Sequence, residues 1–256
     1  VHRFHLPAAR NDDTLLTLTG GEAHHALRVL RLRRGERVTV LNGAGGEFLC
    51  EVREVDHRSV QLAVIQTTLT PPLPCRLTLA QSVAKGKTMD LIVQKATELG
   101  AHRISPIISE RTVAQIDEED AAAKVEKWRA VAIEAIKQCG SPWLPRIDPP
   151  CPLGKLLQSG ESHDLSFVAS LREDARHPRD YFQAFRREHR REPRSIRVWI
   201  GPEGDFTPAE LDAMLSGGAL PITLGPLVLR SETAAICALA VVNYETSSPP
   251  SSPVAP

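Results

Sequence analysis

The sequence predicts an α/β protein in two parts, a hairpin-rich β unit followed by a mostly parallel sheet covered by helices on both faces. Two observations carry that prediction. Near the start, three short segments alternate or cluster β-branched and apolar residues around a glycine-rich turn, and beyond Pro72 strands alternate with helices. The proline-rich run between these regions sets the boundary, which divides the chain into 1–71, 72–245 and a tail over 246–256.

In the first part the strands are RVTVL (Arg37 to Leu41), EFLCEVREV (Glu47 to Val55) and SVQLAVI (Ser59 to Ile65), with NGAGG turning the chain between the first two. QTTLTPPLPC then ends regular structure, because its prolines remove backbone donors. In the second part RLTLAQSV, the helix TMDLIVQKATELG and the strand RISPIIS follow in turn. A long helix comes next, with a buried stripe at Val125, Trp128, Ala132 and Ile136. Its acidic start (Asp117 to Asp120) and basic Lys137 suit the helix dipole. The later strands are LSFVAS, IRVWI and PITL, and TSSPPSSPVAP is too rich in proline and serine to pack.

Composition narrows the function classes. Of 256 residues, 31 are Lys or Arg and 31 Asp or Glu, so no global field recommends a nucleic-acid partner and such a claim must rest on local patches. Five scattered cysteines without a CxxC pair argue against a disulfide framework and a zinc ribbon, and favour a reducing cytoplasm. No apolar run is long enough to span a bilayer, and VHRFHLPAAR lacks the apolar centre of a signal peptide.

Several tempting motifs carry little. GAGGEF (Gly43 to Phe48) lies between hairpin strands with no helix behind it, so it reads as a turn rather than a phosphate loop. GxGxxG after a strand, a Walker lysine loop and GxSxG are all missing. His24 and His25 are adjacent and diverge on a helix, so they read as surface or capping residues. RREHRREPR (Arg186 to Arg194) reads as a solvated helix face with i,i+4 pairing to Glu188 and Glu192, with a nucleic-acid patch as the alternative.

Three loops at strand ends look purposeful: VASLRE (Val168 to Glu173), IGPEGDFTPAEL (Ile200 to Leu211) and LGPLVLRSET (Leu224 to Thr233). Ligands of open parallel sheets bind outside the carboxyl ends of the strands, so three such loops mark a candidate site. Gly201 and Gly204 permit close backbone approach, and Thr207 to Glu210 forms a capping box with proline at the first helical position. Gly225 and Pro226 turn the chain. Ser231 or Thr233 then caps a final helix with a small-residue face of Ala234, Ala235, Ala238 and Ala240. Arg230 and Glu232 could form only an exposed ion pair, but beside the GPEG loop they read as a reactive cluster.

IGPEGDF and LGPLVLRSETA, preceded by KGKTMDLIVQKATELGAHRISPIISERT and EAIKQCG, resemble the RsmE family of bacterial 16S ribosomal RNA uridine-N3 methyltransferases, in the SPOUT superfamily. RFH and HHALRVLRLRRGERVTVLNGAGGEF resemble that family's small PUA-like β-barrel, an RNA-binding domain. The resemblance implies an α/β SPOUT domain with a trefoil knot, the segment from Leu224 onward being tucked through. It also implies S-adenosylmethionine as cofactor, a homodimer and 16S rRNA as substrate; transfer from a sulfonium needs no metal, the apolar runs predict no membrane partner, and the neutral overall charge favours RNA within the assembled 30S subunit over free RNA.

Carried across residue by residue, Leu171, Gly201, Glu203, Gly204, Leu224, Gly225, Leu229 and Thr233 would meet the cofactor, while Arg230, Glu232 and Glu203 would be catalytic. Glu232 is the preferred base with Glu203 behind it, and Arg230 would stabilise the uridine anion. Arg3, His25, Arg28 and Arg31, with Lys85 and Arg111 as secondary candidates, would contact RNA. The chain departs from the family at Asp205, where glycine is frequent, and at Ser141, where arginine is frequent and Arg146 could substitute. Two other readings stay open: a SPOUT enzyme acting on another base or a ribose 2′-oxygen, and an RNA-binding ribosome-assembly factor without catalysis.

Overall fold

A computed structural model describes residues 1–113 and 118–247. Asp117, the side chains of Glu118 and Glu119, and the tail from residue 248 lie outside the described residues. The chain divides into two compact units, Val1–Pro72 with Ala132–Leu144, and Leu73–Val131 with the chain from Pro145 onward.

The first unit contains β1 (His2–His5), β2 (Leu15–Leu18), α1 (Gly20–His24) running into a π turn (His25–Val29), β3 (Arg37–Leu41), β4 (Gly46–Val55) and β5 (Val60–Leu69). The sheet order is β1-β3-β4-β5-β2, parallel only between β1 and β3. Register shifts at Leu49/Cys50 and Val52/Glu54 mark where β4 bends. Alternate side chains point inward, so Phe4, Leu16, Leu18, Val38, Val40, Phe48, Val52 and Leu62 share one core with Ala23 and Ala26. GAGG is a hairpin loop, as read: the Asn42 side-chain oxygen accepts from the Ala44 and Gly46 N–H groups at 2.9 and 2.8 Å.

β1 and β2 are too short for periodicity to reveal, and β5 runs four residues beyond Ile65. QTTL is therefore strand, held by pairing with β4 through Glu47↔Thr68 and Gly46↔Leu69. Regular structure stops only at Thr70, immediately before the prolines.

The second unit holds β6 (Arg76–Ser82), α2 (Lys87–Glu98), β7 (Arg103–Ile108), β8 (Arg146–Ile147), β9 (Cys151–Pro152), α4 (Leu153–Gln158), β10 (Leu165–Ala169), α5 (Pro178–His189), β11 (Ser195–Ile200), α6 (Pro208–Ser216), β12 (Leu220–Ile222) and α7 (Ser231–Thr246). Between β7 and β8, the long helix α3 (Glu118–Cys139) belongs to this unit up to Val131 and to the first from Ala132. The sheet is parallel throughout, in the order β12-β10-β11-β6-β7-β8, with β9 on β7. Such a sheet needs apolar cover, supplied by Met89, Ile92 and Val93 of α2, Phe182 and Phe185 of α5, and Ala235, Ala238 and Leu239 of α7. α7 packs on α2, where its alanines allow close approach; Ala240 is exposed and is not part of that face.

Thr207 and Glu210 form the expected capping box at α6. The expected cap of α7 is different. Arg230 is the N-cap and contributes no side-chain bond, while the Ser231 hydroxyl donates to the Gly201 carbonyl at 2.7 Å. A tertiary acceptor outcompetes the local backbone, and Thr233 is exposed inside the helix. The basic run also departs from i,i+4 pairing. α5 ends at His189, Arg190 turns left-handed at φ 55°, and Glu192 reaches back to Arg186 at 2.9 Å while Arg191 pairs with Asp164 at 2.8 Å.

Near the amino ends of the central strands lies a dense ionic network. Asp148 accepts from Arg103 and from the Ser105 hydroxyl, and pairs with Arg146 at 2.8 Å. Glu161 accepts from Arg103 and from Arg197, whose side chain is 4 % exposed and stacks 5.1 Å from the Trp199 ring. Buried charges persist only when paired in this way. All five cysteines are free thiols, and burial pushes Cys50 and Cys75 up to about 12, leaving them as inert apolar groups.

Candidate functional site

A cavity of about 290 Å³ opens at the carboxyl ends of β10, β11 and β12, against the first turn of α7. Its wall is formed by 169–171, 200–203, 205, 222–225, 227–231 and 234, that is, by all three strand-end loops. Leu171, Gly201, Glu203, Leu224, Gly225, Leu229 and Arg230 are on it. Gly204, Glu232 and Thr233 are not: Gly204 lies in the adjoining loop, and Glu232 and Thr233 occupy the first turn of α7.

The loops are fixed by a few bonds. Thr223 Oγ1 accepts from the Gly225 N–H at 3.3 Å and donates to its carbonyl at 3.2 Å, which closes the third loop on itself. Gly225 sits at φ 123°, a conformation reserved for glycine, and an added Cβ there would meet nothing within 4 Å, so its open side faces free space. Gln81 donates to the Ser82 carbonyl and to Ser231 Oγ, both at 2.9 Å, and Ser231 in turn donates to Gly201. One hydroxyl thus ties β6, the second loop and α7 together. Gln81 Oε1 is buried without a hydrogen-bond partner among the described residues. An amide amid the apolar strand RLTLAQSV was the available signal for this residue, and the sequence reading passed over it, as it did Thr223.

The departure at Asp205 has a structural cause. Its φ is 60°, the left-handed conformation that favours glycine, and the carboxylate offsets the strain by accepting from the Phe206 N–H at 2.7 Å. Ser141 closes a short turn with Trp143, accepting from its N–H at 3.2 Å and donating to its carbonyl at 3.1 Å.

The surface of the wall is largely apolar and solvent-facing at Leu171, Leu227 and Val228. Among the described residues, the N–H groups of Leu171, Leu224 and Leu229 donate to no protein acceptor. Apolar walls with a few unspent backbone donors suit a flat ring system with a polar edge. Arg230 is exposed and makes no ion pair among the described residues, so the Arg230–Glu232 pair is not formed.

The candidate RNA contacts are unequal. Arg3 donates through Nη1 to the Lys137 and Gln138 carbonyls at 3.1 and 3.0 Å, which ties one edge of its guanidinium to the carbonyl end of α3. His25 is half-buried with its ring edge-on to Phe4, whereas Arg28 and Arg31 are exposed and unpaired among the described residues. Lys85 is exposed beyond β6, and Arg111 donates to the Gly204 carbonyl at 2.6 Å, holding the second loop. Among the described residues no cluster of three or more His, Cys, Asp or Glu could hold a metal, and no helix is long and apolar enough to cross a membrane.

A family model described as an RNA methyltransferase domain matches residues 71–243, and one described as an RNA methyltransferase PUA domain matches residues 18–65. The chain belongs to the RsmE family of RNA methyltransferases. Its relatives include ribosomal RNA small subunit methyltransferase E of Bacillus subtilis, 32% identical over 231 residues and covering 90% of each chain. The Aquifex aeolicus protein of the same name is 33% identical over 245 residues, covering 94% of this chain and 99% of its own.

Among solved structures, a methyltransferase of Legionella pneumophila in complex with S-adenosylmethionine superposes with TM-score 0.85 at 32% identity, covering 94% of this chain and 96% of that one. The Neisseria gonorrhoeae ribosomal RNA small subunit methyltransferase E, bound to S-adenosyl methionine, gives 0.84 at 28% identity, with coverage of 95% and 97%. The fold class is therefore the one the family resemblance implied, an α/β SPOUT methyltransferase domain of the trefoil-knotted type with a PUA-like β-barrel domain. Knotted chains are exceptions to the rule that connections do not thread.

Proposed function

We propose that this RsmE-family chain transfers the methyl group of S-adenosylmethionine to N3 of a uridine in 16S rRNA, acting on the assembled small subunit as a cytoplasmic homodimer. The cavity formed by the three strand-end loops carries this reading. Its apolar wall and the N–H groups of Leu171, Leu224 and Leu229 fit an adenosyl group, and the acidic and basic residues needed for proton removal stand at its mouth. The bound cofactor supplies an activated methyl group on a sulfonium, so no metal is required for departure.

The protein's own work is to align the uridine and remove its N3 proton. Arg230 is exposed on the wall and stabilises the negative charge that spreads onto the flanking carbonyl oxygens. Of Glu203 and Glu232 only Glu203 is on the wall, and the other wall carboxylate, Asp205, is engaged with the Phe206 N–H, so Glu203 accepts the proton. Glu232, preferred on sequence grounds, lies off the wall in the first turn of α7, where a negative charge suits the helix end. Arg28 and Arg31 contact phosphate. Arg111 acts indirectly, through Gly204.

The test is nucleoside mass spectrometry of small-subunit RNA after incubation of unmodified particles with the protein and S-adenosylmethionine. N3-methyluridine at one position is expected. A 2′-O-methyl nucleoside, or another methylated base, would overturn the assignment of the target atom. Binding of S-adenosylmethionine with no methylation at all would favour an assembly factor. Unchanged salt dependence of particle binding in Arg28→Ala/Arg31→Ala would remove the first unit's role.

A further inference from the structure

At the opposite end of the parallel sheet from the cavity, four basic residues stand side by side on four adjacent strands. Arg194 precedes β11, Arg76 begins β6, His102 precedes β7 and Arg146 begins β8. Backbone hydrogen bonds make the row contiguous: Arg76 N–H donates to the Arg194 carbonyl at 2.8 Å, His102 N–H to Leu77 at 2.8 Å, and Arg146 N–H to His102 at 3.0 Å. All four are exposed. Strands sit about 4.8 Å apart, so the row is roughly 14 Å long. The side chains sense one another, since burial and the charges of Arg76, Arg103 and Arg146 together push the His102 imidazole below its ordinary range.

The carboxylates that could neutralise this edge are already committed. Asp148 holds Arg103, Ser105 and Arg146; Glu161 holds Arg103 and Arg197; Asp164 accepts from the Arg191 guanidinium and the Arg194 N–H, which hold its carboxyl well below the usual carboxylate range. Among the described residues the side chains of Arg76 and Arg194 make no hydrogen bond or ion pair. Arg190, exposed at the end of α5 and without an ion pair among the described residues, adds a charge close by in sequence. Two guanidinium groups without a side-chain partner among the described residues, flanked by His102 and the paired Arg146, give a protein of no net charge a local basic edge that suits a polyanion.

We infer that the Arg194–Arg76–His102–Arg146 edge is a second RNA-docking surface that grips the phosphate backbone of the substrate particle remote from the methylated base. β11 is six residues long, so row and cavity lie roughly 20 Å apart. An RNA that touches both must be folded and large, which selects an assembled particle over a short hairpin. The inference rests on the reading of the chain as a small-subunit RNA methyltransferase.

The double variant Arg76→Gln/Arg194→Gln removes two charges without breaking a side-chain hydrogen bond or ion pair among the described residues, and thermal unfolding checks that it folds. Its affinity for small subunits should fall roughly fivefold or more near 0.15 M salt, and the slope of log affinity against log salt should drop by about two. S-adenosylmethionine affinity should not change. Identical particle affinity and salt slope in variant and wild type would overturn the inference. A photo-crosslinker at position 194, Arg194→p-benzoyl-phenylalanine, should capture 16S rRNA; capture of ribosomal protein alone would also overturn it. Wild-type methylation of the same particles reports separately on the enzymatic reading, so unchanged variant binding alongside normal methylation sinks only the docking surface.

Discussion

At the carboxyl ends of β10, β11 and β12, the loops carry Gly201, Gly204 and Gly225, exposed leucines, and N–H groups with no protein acceptor among the described residues. At the amino ends of the same sheet, Arg103, Asp148, Glu161 and Arg197 hold one another in a closed network. One end keeps its hydrogen-bonding capacity for a ligand; the other spends it internally and leaves only an outer row of arginine charge. The difference teaches where a substitution should act on chemistry and where on stability.

The largest expected effect tests the open end. Glu203→Gln should lower kcat by about 10²–10³-fold with cofactor affinity nearly unchanged, while Glu232→Gln should lose far less; the reverse ranking in single-turnover assays would return the proton to Glu232. At the closed end, burial and the Arg197 charge push the His163 imidazole down from 6.5 to about 4. Between those values the unfolded chain binds a proton that the folded chain does not, so stability is full above pH 6.5 and falls as pH drops toward 4. Solvent screening at this half-buried site reduces the effect to about 1–2 kcal/mol, and His163→Gln should flatten that part of a urea-unfolding pH profile.

Asp148→Asn weakens the hold on Arg103 and Arg146 and should cost about 2–3 kcal/mol in urea unfolding, with cofactor affinity preserved. Back at the open end, Gly225→Ala meets no clash but forces φ 123° on a residue with a side chain. About 1–2 kcal/mol of strain should appear as roughly tenfold weaker cofactor binding in calorimetry. Asp205→Gly relieves a left-handed backbone but loses the Phe206 bond, so unfolding stability should move by less than about 0.5 kcal/mol.

The open end was far more legible than the closed one. Turns, glycines and the Thr207 to Glu210 cap write their geometry into neighbouring residues, so the three loops could be found along the chain. Ser231 was misread as a cap because its acceptor, Gly201, is 30 positions away, and the tie of Arg3 to carbonyls 134 and 135 positions away was hidden for the same reason. The closed end is entirely of this kind. Arg103, Asp148, Glu161 and Arg197 look like ordinary surface charges until the strand order brings them together. The basic row is equally hidden, with its members at 76, 102, 146 and 194. Even the run Arg186 to Arg194 misled, since the helix stops at His189 and the charges beyond it answer to the sheet.

The bridge from Gln81 through Ser231 to Gly201 also bears on the order in which the molecule assembles. Its ends are separated by 150 and 30 positions, so it closes long stretches of chain and gains nothing until both are in place. Helices and hairpins, which need only near neighbours, form first. A refolding chain therefore regains its helical signal before it can hold a methyl donor, and the ability to bind that donor reports on the last contacts made rather than the first.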